Sequence, residues 1–210
     1  MLVASMSQDV MMAEVRFDLF EMQTQINLFK SRAQKRMKIS PGKMFPMQRL
    51  SITTKRNHNA WTVCIYYDAP FEMYGFCAYA PVKMGDTYGY VLVSPGSKSH
   101  TIQYYTAHFL KRYMERYIHH YDIDLKGQLP IEFFCFNNTH SLTAGQATEG
   151  TIVVSDHGLS IVNMQDDKFE TYITYIGDDE LSLRKRMIYE NQIKVYREAF
   201  DLFCRKMYTL

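Results

Sequence analysis

The chain has 210 residues, of which 47% are apolar, 22% charged and 14% aromatic, with a formal net charge of +2. That apolar share excludes a largely disordered chain, which would lack the residues to bury. At roughly 100–200 residues per domain the length fits one large or two small domains, and a chain this long needs no disulfide or metal staple.

Residues 9–38 read as one long helix, because Val15, Leu19, Met22, Ile26, Phe29 and Ala33 recur at spacings of four and three. Asp9 is the expected cap, and Ser40-Pro41-Gly42 the expected stop. Core packing is the simpler reading of the stripe, although it also offers a seam for a protein partner or a second copy of the chain. Segments 48–56, 60–68, 73–81, 87–94 and 100–105 then change to period two and read as antiparallel strands. Trp61, Val63 and Ile65 share one face there. Thr106 opens a helix to about Tyr121, its hydroxyl placed to accept from the first-turn amides. Residues 129–137 are ambiguous between strand and short helix, and 137–149 read as a polar loop. Strands follow at 150–155, 159–164 and 168–176, the first two joined by the tight turn Ser155-Asp156-His157-Gly158. A helix from about Asp179 to Met207, with Ile188, Val195, Ala199 and Leu202 on its buried side, ends the pattern. The expectation is a single α+β domain over 1–210: an antiparallel sheet with long N-terminal, central and long C-terminal helices.

No stretch approaches the ~18 uninterrupted apolar residues of a membrane helix, and the first five residues lack the basic start of a secretory leader. The four cysteines, Cys64, Cys77, Cys135 and Cys204, form no C-x-x-C pair and read as buried thiols in a reducing cytoplasm.

Charge is unevenly spread. Nine of the 24 basic residues fall between Lys30 and Arg56, a window without Asp or Glu, so the rest of the chain is net acidic. Such a concentration is either a solvated face or a footprint for a polyanion. Lys35, Arg36, Lys38, Lys55 and Arg56 are its candidate nucleic-acid contacts.

The stretch with most chemistry is the helix that Thr106 opens. His108, Arg112 and Arg116 are spaced four apart and share a face, with Glu115 beside them. Arginine forks match phosphate oxygens, and histidine titrates nearest neutrality. The bland alternative is a solvent-facing helix whose arginines pair with carboxylates.

A helix reading H-x-x-x-R-x-x-x-R, followed by strands ending in the hydroxyl-bearing Phe169–Ile176, resembles the RelE/EndoU/barnase/colicin superfamily of metal-independent ribonuclease toxins. The resemblance covers about residues 106–176. It implies RNA cleavage by attack of the ribose 2′-hydroxyl on the adjacent phosphate, at a site where helix and sheet meet. It further implies His108 as general acid or base, Arg112 and Arg116 as stabilisers of the phosphorane charge, and Thr171 as the group that orients the phosphate. No cofactor or metal is implied, since in-line phosphoryl transfer needs only proton movement and fixed positive charge.

Other chemistries find less support. No H-E-x-x-H or H-x-x-E-H spacing joins His119, His120, His140 and His157 into a zinc-protease pattern. Ser94–Ser99 lacks the phosphate-loop frame, and Cys135 sits in an aromatic run typical of a core thiol. A non-catalytic binding or assembly module, acting on nucleic acid or protein, is the second reading.

Overall fold

The computed structural model describes residues 1–39, 47–68, 73–93, 101–138, 141–165, 168–177 and 180–208. Helix α1 spans Gln8–Ile39 without a glycine or proline. Ser7, not Asp9, caps it: the Ser7 hydroxyl accepts from Val10 N–H at 3.4 Å. Asp9 lies in the first turn, where its charge favours the helix dipole. The expected stop at 40–42 lies outside the described residues.

Strands follow at Met47–Thr53 (β1), Ala60–Asp68 (β2), Met73–Met84 (β3), Thr87–Val93 (β4) and Ile102–Tyr105 (β5). Beyond them come helix α2 (Ala107–Tyr113), a π-helical turn (Met114–Ile118) and helix α3 (Pro130–Asn137). Strands β6 (Ser141–Ala147), β7 (Gly150–Ser155), β8 (Gly158–Gln165) and β9 (Phe169–Ile176) precede helix α4 (Leu183–Tyr208). The class is α+β, and the ladders with a defined register between these strands are antiparallel. Among the described residues no helix is long and apolar enough to cross a membrane.

The chain divides into two compact units: Met1–Tyr104 with Gln165–Phe169, and Tyr105–Met164 with Glu170–Leu210. In the first, the strands run in the order β1-β2-β3-β4-β5. Register stacks Ile52 on Trp61, Val63 on Ala78, and Ala78 on Val93. These side chains form one core with Val15, Leu19, Met22 and Ile26 of α1. The helix stripe therefore packs on the chain's own sheet, and the same residues are not available as a seam for a partner. Asp18, fully buried, accepts from Asn57 Nδ2 (3.1 Å), Asn59 Nδ2 (2.6 Å) and Trp61 Nε1 (2.8 Å). Three donors compensate a charge that would be costly alone, and they fix the β1–β2 hairpin to the helix.

In the second unit the strand order is β9-β8-β7-β6. Phe109, Phe134, Tyr172 and Tyr175 form its aromatic centre, with Phe109 edge-on to the other three at 5.2–6.2 Å, the geometry aromatic quadrupoles favour. The ambiguous 129–137 segment is helical because Pro130 fits the first turn and the Glu132 carboxylate reaches back to Leu129 N–H at 2.9 Å. Two expectations need correction. The supposed loop 137–149 contains β6, whose alternation is masked by small polar residues and by a register shift between Thr143 and Gly145. On α4 the buried side carries Tyr189 and Ile193, packed with Val154 and Leu159. Ile188, Val195, Ala199 and Leu202 are exposed instead.

Candidate functional site

Thr106 ties the start of α2 to β9. Its backbone N–H donates to the Tyr172 carbonyl at 3.2 Å, and its hydroxyl lies 3.1 Å from the Tyr172 and Ile173 carbonyls. The same hydroxyl accepts from Phe109 N–H at 3.1 Å, as expected of a cap. The predicted single helix to Tyr121 is interrupted, because the backbone changes to i→i+5 bonding and His119 N–H donates to the Met114 carbonyl at 2.9 Å. Such π turns are rare in helices.

The four residues expected to act together differ in their surroundings. His108 is exposed, and its Nε2 lies 3.4 Å from the Thr174 hydroxyl. Arg112, one turn on, meets Glu115 at 3.6 Å, and Lys111 shares that carboxylate at 3.8 Å. Both arginine and glutamate there are about two-fifths exposed, so the pair is weak and exchangeable. Arg116 is different: only 18% exposed, it donates from Nη1 to the Tyr175 carbonyl at 2.6 Å and meets Glu180 at 2.5 Å. Its guanidinium holds the end of β9. Thr171 is half-buried, and the hydroxyl beside His108 belongs to Thr174, three residues further along the strand.

A second constellation escaped sequence reasoning. His157 stands in the β7–β8 turn, stacked on Tyr117 at 4.1 Å and 13°. Asn138 accepts from His157 N–H at 2.9 Å and donates to the Phe134 carbonyl at 2.9 Å, which fixes its amide orientation. Its Nδ2 therefore faces His157 Nδ1 as a donor, at 2.9 Å, and the Tyr113 hydroxyl lies 2.8 Å from the same nitrogen. The neutral ring then carries its proton on Nε2. Burial holds this imidazole down at about 4, Asp156 opposing the shift and Arg197 adding to it. Burial likewise raises the Tyr113 hydroxyl far above the usual phenol range. Tyr175 donates to the His157 carbonyl. Gly158 permits that approach, since a Cβ there, at φ +141°, would sit 2.7 Å from the Tyr175 oxygen. Asp156 at the same turn pairs with Arg197 of α4. The tight-turn signal at 155–158 and the i,i+4 pair Tyr113/Tyr117 were the only hints of this cluster in the sequence.

In the first unit the basic window splits. Lys35, Arg36 and Lys38 are exposed near the end of α1, where Arg36 donates to Gln48 Oε1 at 3.0 Å. Lys55 and Arg56 lie at the hairpin tip, their backbone N–H groups donating to the Glu21 carboxylate, and the Arg56 guanidinium covers Phe17 at 4.0 Å. Glu21 and Arg36 are about 22 Å apart along the helix axis at 1.5 Å per residue. Lys43 lies outside the described residues. Lys30 stands 4.0 Å over the Phe76 ring, and burial lowers its pKa. Among the described residues no three His, Cys, Asp or Glu side chains gather in a way that would hold a metal ion.

The chain matches no protein-family model, no curated protein and no solved structure.

Proposed function

We propose that this chain is a metal-independent ribonuclease whose working groups are His108, Thr174 and Arg112. The observation that carries this reading is an exposed imidazole whose Nε2 lies 3.4 Å from a β9 hydroxyl, with a guanidinium one helical turn away. His108 moves the proton: it takes it from the ribose 2′-hydroxyl during attack on phosphorus, or returns it to the departing 5′-oxygen. The Thr174 hydroxyl and Arg112 bind the non-bridging oxygens, where negative charge grows in the transition state. The exposed Arg112–Glu115 pair contributes about 0–1 kcal/mol, so a substrate phosphate readily replaces Glu115. Arg116 is a positioning residue in this scheme.

The test is incubation of the full chain with RNA in EDTA, followed by analysis of the new ends. The expected products carry 2′,3′-cyclic phosphate, and His108→Ala loses cleavage while keeping its circular dichroism spectrum. Cleavage that requires a divalent ion, or that survives in His108→Ala, overturns the reading.

A second reading rests on the exposed Lys35, Arg36 and Lys38 at the end of α1: the chain binds RNA without turning it over. Salt-sensitive RNA binding by a chain that leaves the RNA intact would favour it.

A further inference from the structure

Strands β2 and β3 bring two thiols face to face. Cys64 pairs directly with Cys77 in the antiparallel register, and both are held as buried thiols, at 0% and 4% exposure. Directly opposed residues on an antiparallel ladder point to the same face, with Cα atoms about 4.5–5.5 Å apart. A disulfide accepts Cα separations of about 4.4–6.8 Å, so no strand has to slide to form one. The pairs on either side along the same face are Thr62 with Tyr79 and Tyr66 with Gly75. Gly75 has no side chain, and the Tyr66 ring occupies the space a Cβ would take. On the other side Tyr79 packs edge-on to Tyr90 at 5.8 Å. The thiol pair is thus flanked by aromatic side chains on the one face of the ladder.

We infer that Cys64 and Cys77 are a site of reversible oxidation, forming a cross-strand disulfide within the chain under a peroxide oxidant. One thiol is oxidised by hydrogen peroxide to a sulfenic acid, releasing water. The second sulfur then attacks the sulfenic sulfur, and a second water leaves as the S–S bond forms. Two thiols lose two protons and two electrons, and one peroxide is reduced to two waters. Both sulfurs are enclosed, so peroxide reaches them through local opening of the β2–β3 ladder. Once closed, the same burial shields the bond, and a dithiol reductant reverses it.

The experiment treats the full native chain with hydrogen peroxide, then unfolds and alkylates it for mass spectrometry. The expected results are loss of two of the four alkylatable thiols, a mass about 2 Da lower before alkylation, and one peptide linking Cys64 to Cys77. Dithiothreitol restores all four, and Cys64→Ala or Cys77→Ala keeps its three remaining thiols alkylatable. Peptide mapping of the unaltered chain decides the matter even if a variant fails to fold. Four alkylatable thiols after oxidation, a link between two copies, or a link through Cys135 or Cys204 instead would each overturn the inference.

Discussion

Arg116 holds Tyr175 by its backbone: Nη1 donates to the Tyr175 carbonyl at 2.6 Å while the same guanidinium meets Glu180 at 2.5 Å. The bond fixes the strand one residue beyond Thr174, whose hydroxyl faces His108. Removing the guanidinium leaves a carbonyl and a carboxylate without their donor, a loss of about 1–3 kcal/mol for a charge-assisted bond. Arg116→Ala is therefore expected to lower the urea midpoint with an unchanged m-value, and Arg116→Lys to recover part of it. An Arg116→Ala protein as stable as the original would show the tie to be idle.

Asp18 poses the opposite problem, an acceptor surrounded by donors. Asn57, Asn59 and Trp61 all direct N–H groups at one buried carboxylate. Asp18→Asn keeps the shape but turns half of the group into a donor facing donors. The expected cost is about 2–4 kcal/mol, read by denaturant unfolding with Trp61 fluorescence as the probe. Because Asn59 also accepts from Leu2 N–H at 2.8 Å, amide exchange at Leu2 should quicken in the same variant. A shift under about 0.5 kcal/mol, typical of an ordinary surface site, sinks this account.

Acid should weaken the fold through His157. The unfolded chain takes up this proton near 6.5, while the folded chain takes it up only at about 4. Between those values unfolding binds a proton, so stability is full above about pH 6.5 and declines as the pH falls toward 4. The loss is at most about 3 kcal/mol, at 1.36 kcal/mol per pKa unit. His157→Gln removes the titrating group and should flatten the dependence across that window, as measured by unfolding at a series of pH values. An equal slope in both proteins would assign the effect to other groups.

Much of this architecture was legible because buried positions follow simple periods. The α1 stripe and the alternation of Trp61, Val63 and Ile65 carried the first unit. The period hid what depends on partners. On α4 two apolar stripes compete, and only the presence of Val154 and Leu159 decides that Tyr189 and Ile193 go inward. The π turn at 114–118 has no local signature, yet it places Tyr117 on His157. A spacing of four put His108, Arg112 and Arg116 on one face, but it was silent about Glu180, 64 residues later, which claims Arg116. Spacing thus showed which helix residues share a face, and it was silent on which strand hydroxyl lies beside His108.

Three residues separate two hydroxyls that the sequence could not rank. Thr171 and Thr174 lie on the same strand, and it is the Thr174 hydroxyl that stands 3.4 Å from the His108 Nε2. If the hydroxyl helps stabilise charge on the phosphate, Thr174→Val keeps the shape of the side chain and removes the donor. Loss of one such donor lowers the chemical step by roughly 10²-fold, with KM nearly unchanged. Thr171→Val should stay within about twofold of the parent, since the hydroxyl beside His108 remains in that variant. Single-turnover cleavage in EDTA separates the step from product release, and thermal unfolding checks that both variants remain folded. A large loss in Thr171→Val with Thr174→Val active would place the phosphate on the other hydroxyl. Equal losses in both would mean that β9 acts through its packing and not through either oxygen.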